Sequence, residues 1–207
     1  MFKLDGLYRP QYMKPDCIVR RLRARVKNPH LWSSLPFDRT IRKAALLLVQ
    51  DGYPDRSYRD YAFALCEGAV YMYGDKQWTA ILKDRPSLPT SRVSPDDDDP
   101  LSTAHRFASL AIANHEAELE AMLKAGVDPN VSSTYFGWAI QIAARTGNMA
   151  IFSLLHQYNR TISDHENFST WHRMIEAEDH AAVEACHFGN TMIARLIWSP
   201  ENDWRPA

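Results

Sequence analysis

The stretch WAIQIAARTGNMAIFSLLHQY, residues 138–158, recurs in altered form elsewhere in the chain and decides the predicted fold. An earlier copy, HRFASLAIANHEAELEAMLKA at residues 105–125, precedes it by 33 residues and pairs Leu119 with Phe152. A third copy, ACHFGNTMIARLI at residues 185–197, follows at an offset of 42, so nine residues are inserted before it. A period of this length is typical of proteins built from stacked helical units.

Each copy follows the same predicted plan: a short helix that ends in small residues, a Gly or Asn turn, and a second helix with an apolar stripe. In the first copy the stripe is Leu119, Met122 and Leu123, whose spacing puts them on one helical face. Because one helix pair cannot cover such a stripe, neighbouring pairs must pack side by side to bury it. The fold class is therefore predicted as all-α.

The motifs of the copies resemble those of ankyrin repeats. The Ala-Ala-x-x-Gly turn of that family corresponds to residues 143–147, and its Leu-Leu-x-x-Gly-x-Asp-x-Asn ending corresponds to residues 122–130. The resemblance covers about residues 101–198 and implies an ankyrin-like solenoid of helix pairs. The family's Thr-Pro-Leu-His opening is replaced by HRFA at residues 105–108 and by WAIQ at residues 138–141. We therefore expect the hydroxyl cap and the inter-repeat histidine bonds of the family to be missing.

Proline, glycine and charge divide the remainder of the chain. Residues 1–36 are predicted as an irregular basic segment with one basic helix, and residues 199–207 as a tail. Residues 37–84 are predicted as a divergent helical N-terminal cap of the solenoid, with a separate small helical domain as the alternative. Residues 85–100 are rich in Pro, Ser and Asp, which predicts a linker or loop.

Within residues 37–84 the sequence pattern predicts three helices. The first covers residues 40–50 with Asp38 as its N-terminal cap, the second covers about residues 58–73, and the third covers residues 77–83. Three repeats are about the minimum for a stable stack, and terminal units are atypical because they cap it. This reasoning favours the cap over a separate domain.

Charge is unevenly distributed, although the 207 residues carry a formal net charge of only −1. Residues 1–43 hold eleven Lys and Arg against three Asp and Glu, and residues 44–207 hold 13 against 22. A thin apolar stripe of Ile18, Leu22 and Val26 runs through the most basic stretch. The basic segment consists of Arg20, Arg21, Arg23, Arg25 and Lys27.

Three interpretations of the basic segment stay open. It is a helix that is solvated or packs on the acidic body of this protein, it directs nuclear import, or it binds nucleic acid or another acidic partner. No aromatic residue interleaves the arginines, so the stacking platform that bases need is missing. Nucleic acid is therefore the disfavoured partner.

Composition places the chain in a broad class and compartment. With 45% hydrophobic and 24% charged residues, the sequence is typical of a soluble globular protein. The longest aliphatic run covers only residues 44–49, far short of the ~20 residues of a membrane span, so no membrane partner is expected. Three scattered cysteines without CxxC spacing favour a reducing compartment. The expected location is the cytoplasm, with the nucleus as a second location if the basic segment directs import.

The residue patterns that catalysis or cofactors require are missing. No Gly-rich phosphate loop or GxSxG motif is present, and the histidines lack the short spacings of zinc ligands. No cofactor, metal site or catalytic residue is predicted. The favoured function is a module that binds a protein partner on the concave face that the ankyrin resemblance implies. The alternative is an isomerase or cyclase type of enzyme that holds a small apolar ligand in an aromatic-lined pocket.

The ankyrin resemblance also implies which side chains face a partner. They come from a finger-like turn and from the exposed side of the first helix of each pair. Their mixture of Tyr, Phe and Arg with polar neighbours has the composition of an interface hot spot. The predicted partner-binding residues are Ile112, Ser132, Thr134, Tyr135, Trp138, Arg145, Thr146, His187 and Phe188.

Overall fold

A computed structural model describes residues 15–28, 36–51, 56–72, 102–163 and 168–198. Within these ranges the chain is almost entirely helical, which confirms the all-α prediction. None of these helices has the length and apolar character that crossing a bilayer requires. The predicted helix at 77–83, the predicted linker at 85–100 and the tail at 199–207 lie outside the described residues.

The described part of the chain contains nine helices and one short hairpin. In chain order the elements are α1 Pro15–Lys27, α2 Pro36–Gln50, α3 Tyr58–Met72, α4 Thr103–Ala113, α5 Glu116–Lys124, β1 Ser132–Ser133, β2 Gly137–Trp138, α6 Ala139–Thr146, α7 Met149–Ser163, α8 Phe168–His187 and α9 Thr191–Trp198. The two strands are antiparallel, with Ser132 opposite Trp138 and Ser133 opposite Gly137. The second predicted helix, at residues 58–73, is confirmed as α3.

Helix α3 packs against both α1 and α2, and we call α1, α2 and α3 together the three-helix unit. The predicted stripe of Ile18, Leu22 and Val26 is buried within it. Cys66 of α3 is also buried there, and burial raises the pKa of its thiol to about 12. The thiol therefore stays protonated, and the side chain behaves as a small apolar group.

Two arginines of the basic segment are paired inside the three-helix unit. The Arg23 guanidinium lies 2.8 Å from the Glu67 carboxylate of α3, and the Arg25 guanidinium lies 3.5 Å from the buried Asp38 carboxylate of α2. The basic helix therefore packs on the protein itself, as one of the open interpretations held. The remaining members of the basic segment, Arg20, Arg21 and Lys27, are exposed.

Helix α2 begins earlier than predicted. It starts at Pro36 instead of residue 40, so Asp38 lies in its first turn and is not the cap. Proline is well tolerated in the first turn of a helix, because the backbone N–H that it lacks would have no intrahelical partner there. The prediction was wrong because it interpreted Pro36 as a break before the helix.

The copies found in the sequence are observed as packed helix pairs: α4 with α5, α6 with α7, and α8 with α9. The turn inside each pair contains one residue in the left-handed conformation, with φ of 65° at Asn114, 71° at Gly147 and 75° at Gly189. These three positions are related by the sequence offsets of 33 and 42. The copies therefore share their turn geometry as well as their residue pattern.

Successive helix pairs contact each other through their first helices and their turns. Helix α4 packs against α6, and α6 packs against α8. Asn148 donates a hydrogen bond from Nδ2 to Asn114 Oδ1. Asn190 donates from Nδ2 to the carbonyl oxygens of Ala144 and Arg145, at 2.7 and 2.9 Å. The turns thus follow one another in chain order along one edge of the molecule.

A buried polar network connects the pairs on a second side. His156 Nδ1 of α7 lies 3.0 Å from Glu178 Oε1 of α8, and Asn159 Nδ2 donates to the same oxygen at 3.3 Å. Asn130, in the turn after α5, donates from Nδ2 to Asn159 Oδ1 at 2.8 Å. All four side chains are buried, so these bonds satisfy groups that have left water.

A hydroxyl cap and a histidine bond between copies are present at α4, so the prediction that they are missing is wrong there. Ser102 is the N-cap, and its Oγ accepts a hydrogen bond from the His105 backbone N–H. The His105 ring nitrogen Nδ1 lies 2.8 Å from Ser133 Oγ in the hairpin. Helix α4 begins three residues before the aligned position of α6, whose N-cap Trp138 forms no side-chain cap bond. The cap was therefore sought at the wrong residue.

Candidate interaction surface

The structure divides the predicted partner-binding residues into buried and accessible ones. Tyr135 and Arg145 are buried, so the expectation that they face outward is wrong. The others are exposed or half-exposed: Ile112, Ser132, Thr134, Trp138, Thr146, His187 and Phe188. The neighbours of each explain this division.

Tyr135 is buried because its ring is held between two other rings. The Phe37 ring of α2 meets it edge-on at a centroid distance of 5.5 Å, and the His105 ring of α4 stacks on it at 5.3 Å. The backbone N–H groups of Tyr135 and Phe136 both donate to Ser133 Oγ, which folds the hairpin loop back on itself. The three-helix unit therefore covers this turn through Phe37.

Arg145 is buried because it pairs with Glu184 of α8. Its Nε and Nη2 donate to the two carboxylate oxygens at 3.0 and 2.8 Å, and Gln141 Nε2 donates to the same carboxylate at 3.2 Å. The Arg145 and Glu184 side chains are only 7% and 18% exposed, so the pair is largely desolvated. This bidentate ion pair fixes α6 against α8, and it leaves the guanidinium engaged inside the protein.

Ile112 is half-buried because α3 lies against it. Gly68 approaches so closely that a β-carbon at position 68 would lie 2.7 Å from Ile112 Cδ1. Next to this contact, Arg56 Nη1 donates to the Ala113 carbonyl oxygen at 3.2 Å. The three-helix unit thus covers part of the side of α4 that the ankyrin resemblance assigned to a partner.

A buried histidine–tyrosine pair lies at the same junction. Tyr61 Oη is 2.9 Å from His115 Nε2, and both side chains are buried. Burial lowers the pKa of His115 below its ordinary value of 6.5, although the Glu118 carboxylate opposes this effect. The imidazole is therefore neutral at pH 7, and its contact with α3 carries no charge.

The exposed rings gather where the end of α3 meets the end of α8. Phe188 is 44% exposed and Tyr71 is 38% exposed, and their ring centroids lie 6.1 Å apart with perpendicular planes. The His187 ring stacks on Phe188 at 5.0 Å. We call Tyr71, His187 and Phe188 the aromatic patch.

The buried ion pair supports the aromatic patch from below. The guanidinium carbon of Arg145 lies 5.8 Å from the Phe188 ring centroid, within the range of a cation–π contact. Because Glu184 fixes that guanidinium, the Phe188 ring has a rigid base. A preorganised ring loses little conformational freedom when a partner covers it.

Sequence reasoning found two members of the aromatic patch and missed the third. His187 and Phe188 follow from the position of the third copy, whereas Tyr71 belongs to α3, outside the copies. Val183, exposed one helical turn before His187, was also missed. Its spacing of four residues from His187 was an available signal, because such residues share a helical face.

The aromatic patch contributes one imidazole, His187, which stacks on Phe188. Within the described ranges no three His, Cys, Asp or Glu side chains are placed to hold a metal ion. Trp138, one of the predicted partner-binding residues, stacks on the His180 ring of α8 at a centroid distance of 5.0 Å. The enzymatic alternative stays a prediction that these contacts do not test.

Comparisons of the chain with protein-family models, with curated proteins and with solved structures found no match. The function is therefore inferred from the residues and geometry of this chain.

Proposed function

We propose that this protein is a non-catalytic interaction module, an ankyrin-like stack of helix pairs that binds a protein partner through the aromatic patch. The 33-residue offset between the first two copies supports the stack, as do the left-handed turn residues Asn114, Gly147 and Gly189. Each pair needs a neighbour to cover its apolar stripe, and the contacts of α4 with α6, of α5 with α7 and of α6 with α8 supply neighbours. Stacks of repeated units present extended surfaces that bind partners.

The observation that carries the binding proposal is the exposure of two mutually packed rings, Tyr71 and Phe188, above a fixed guanidinium. Tyr and Arg are among the residues that dominate binding energy at protein interfaces. Covering the exposed part of Phe188 contributes about 1 kcal/mol from apolar burial. Packing of the rings before binding adds to affinity, because less side-chain entropy is lost.

The proposed surface is smaller than the concave face that the resemblance implied. The three-helix unit already covers Tyr135 through Phe37 and approaches Ile112 through Gly68. A partner that binds the assembled molecule therefore meets His187 and Phe188 together with Tyr71, which the three-helix unit contributes. The N-terminal helices are thus part of the binding surface as well as a cover for the stack.

Photo-crosslinking tests this proposal without knowledge of the partner. A benzophenone amino acid replaces Phe188 in the full chain, and in a control chain it replaces Ser153, which is exposed on α7. We expect the chain labelled at position 188 to form discrete covalent adducts in cells, and the chain labelled at position 153 to form none. Adducts of the same size from both positions, or none from position 188, would contradict the proposal.

The partner identified by crosslinking then allows a quantitative test. Phe188→Ala is expected to weaken its binding about tenfold, because the central ring of the patch is lost. Ser153→Ala is expected to leave affinity unchanged. Ser153→Ala should keep the unfolding midpoint of the parent protein, and Phe188→Ala should lower it only slightly, because the Phe188 ring is 44% exposed and packs at the surface.

A cytoplasmic location forms part of the proposal. All three cysteines are free thiols, and Cys17 and Cys186 are exposed, which fits a reducing compartment. Nuclear import is a second possibility for the basic segment, whose Arg23 and Arg25 are engaged in ion pairs. Imaging the full chain with and without Arg20→Ala and Arg21→Ala tests that role. The variant is expected to lose nuclear signal only if an import receptor binds the segment.

A further inference from the structure

A second surface of the molecule, formed by α1 and α2, is strongly basic. Five of its exposed cations, Arg20, Arg21 and Lys27 of α1 and Arg39 and Lys43 of α2, are called the basic face; Arg42 is exposed beside them on α2 and hydrogen-bonds with the Tyr58 side chain. In the described part of the chain none of these five lies within ion-pair distance of a carboxylate. Asp16, in the first turn of α1, is the exposed acidic residue nearest to these cations in sequence.

Most carboxylates of the three-helix unit already have partners. Glu67 and Asp38 pair with Arg23 and Arg25, and the Asp60 carboxylate accepts hydrogen bonds from the backbone and hydroxyl of Ser57. These acids therefore do not neutralise the exposed cations. The positive charge of the face is left to attract anionic groups from outside.

The cations form one continuous surface across two helices. The Arg25–Asp38 ion pair joins α1 to α2, and Arg21 lies one helical turn before Arg25. On α2, the exposed Arg42 lies one helical turn after Asp38, and Arg39 lies three residues before Arg42, so these two cations are neighbours on the helix surface. Arg21 of α1 and Arg42 of α2 thus lie on either side of the Arg25–Asp38 pair, and Arg39 and Lys43 continue the positive charge along α2.

The basic face continues into an apolar end on α2. Leu46 is 48% exposed and Val49 is 39% exposed. Arg39, Lys43 and Leu46 are spaced four and three residues apart, so they share one helical face. This helix face is basic at one end and apolar at the other. A ligand that matches it must carry acidic groups at one end and apolar groups at the other.

We propose that the basic face binds an acidic, amphipathic segment of a partner protein. Its carboxylates contact Arg21, Arg39 and Lys43, and its apolar side chains cover Leu46 and Val49. Charge complementarity steers the encounter, and the apolar end gives the complex a fixed orientation. This surface is separate from the aromatic patch, so it does not depend on the function proposed there.

Two other anionic partners fit the surface less well. A nucleic-acid backbone would meet the cations but has no group to cover Leu46 and Val49, and the exposed faces of α1 and α2 carry no ring for base stacking. A lipid surface would use both features, but interfacial binding requires a larger buried apolar area than two side chains supply. An acidic, amphipathic protein segment contacts both the cations and the apolar residues of this surface.

Fluorescence anisotropy with defined probes tests the proposal on the full chain. The probe is a labelled peptide of repeated Glu-Glu-Leu units, compared with a Glu-Glu-Ser peptide, a DNA duplex and vesicles containing phosphatidylserine. We expect the Glu-Glu-Leu peptide to bind most tightly and to weaken as salt rises. Tighter binding of the duplex or the vesicles, or equal binding of the two peptides, overturns the proposal.

Charge-reversal variants locate the binding site. Arg39→Glu with Lys43→Glu is expected to weaken peptide binding at least tenfold, because the two cations that α2 contributes to the basic face become anions. The control, Lys124→Glu with Arg195→Glu, makes the same change of net charge on exposed residues elsewhere and should leave affinity unchanged. Equal losses in both variants would show a nonspecific charge effect. Thermal unfolding confirms that each variant is folded.

A further variant tests whether the chain supplies its own ligand. Residues 96–99 are four consecutive aspartates, and replacing them with asparagines removes that acidic run. We expect unchanged affinity for the Glu-Glu-Leu peptide. A tenfold gain would show that the aspartates compete for the face, and it would overturn the assignment to a separate partner.

Discussion

At the scale of single residues, Arg145 shows how a long-range contact changes the role of a side chain. Its position in the repeat predicts an outward guanidinium, but Glu184, on α8, turns it into a buried pair. No local pattern around Arg145 contains this information, because the pairing depends on how two distant helices meet. The same side chain then supports Phe188, so it acts on the surface indirectly.

Substitution of Arg145 by alanine is therefore expected to destabilise the fold. The change leaves the Glu184 carboxylate largely buried without its partner, which costs about 3 kcal/mol of unfolding free energy. Urea unfolding followed by circular dichroism measures the loss. The double variant Arg145→Met with Glu184→Leu should recover most of it, because both charges are removed together.

The matched control uses an ion pair that is exposed. Lys124 and Glu120 lie 2.8 Å apart on α5, and Lys124→Ala should leave the unfolding free energy unchanged within error, because water screens the pair. A loss for Arg145→Ala no larger than that for Lys124→Ala would show that the Arg145 pair is solvated.

Cysteine reactivity gives a second test at this scale. Cys17 and Cys186 are exposed, whereas burial beneath α1 raises the pKa of Cys66 to about 12. At pH 8 we expect two thiols to react rapidly with a chromogenic disulfide reagent and the third only after denaturation. Three equally fast thiols in the native protein would show that α1 does not cover α3.

At the scale of elements, the sequence predicts those features that depend on neighbours along the chain. The stripe of Ile18, Leu22 and Val26 and the extent of α3 were predicted from apolar spacing, and both are observed. The predicted first residues of the helices were less accurate. The start of α2 was missed because Pro36 both breaks and begins helices, and the Ser102 cap was missed because the family alignment placed it elsewhere.

The junction of α3 with α4 was beyond sequence reasoning, since Tyr61 and His115 give no local sign that they meet. The burial of His115 at this junction predicts that the stability of the fold depends on pH. Burial, and to a smaller extent the Arg56 guanidinium, lower the pKa of His115, while Glu118 and Asp51 raise it. The unfolded chain therefore takes up a proton at His115 before the folded one does, and stability falls as pH drops below about 6.5.

The measurement compares the wild-type protein with His115→Gln in urea unfolding between pH 7.5 and pH 5. We expect the wild-type protein to lose more stability across this interval, because only it gains the extra proton on unfolding. The difference between the two curves removes the contribution of the other histidines. Parallel curves, or a steeper fall for His115→Gln, would contradict burial of a neutral imidazole at the junction.

At the scale of the whole molecule, the sequence predicts the order of the helix pairs but not how the three-helix unit packs against them. The offsets of 33 and 42 predict three similar units, and the structure has three pairs with equivalent turns. Nothing in the repeats predicts that Phe37 and Gly68 of the three-helix unit contact Tyr135 and Ile112. The aromatic patch depends on this arrangement, because Tyr71 reaches Phe188 only when the unit is in place.

An engineered disulfide between Gly68 and Ile112 tests this arrangement most directly. A β-carbon at position 68 would lie 3.1 Å from Cγ1 and 3.5 Å from Cγ2 of Ile112, so a sulfur in place of a γ-carbon of residue 112 would be within bonding reach of a cysteine at position 68. The variant Gly68→Cys with Ile112→Cys, with Cys17 and Cys186 replaced by serine, is oxidised and its free thiols are counted. We expect rapid formation of an intramolecular disulfide in this pair and none in a control pair of Gly68→Cys with Ser153→Cys. A 68–112 pair that stays reduced, or that forms no faster than the control, would contradict the packing of the N-terminal helices on the stack.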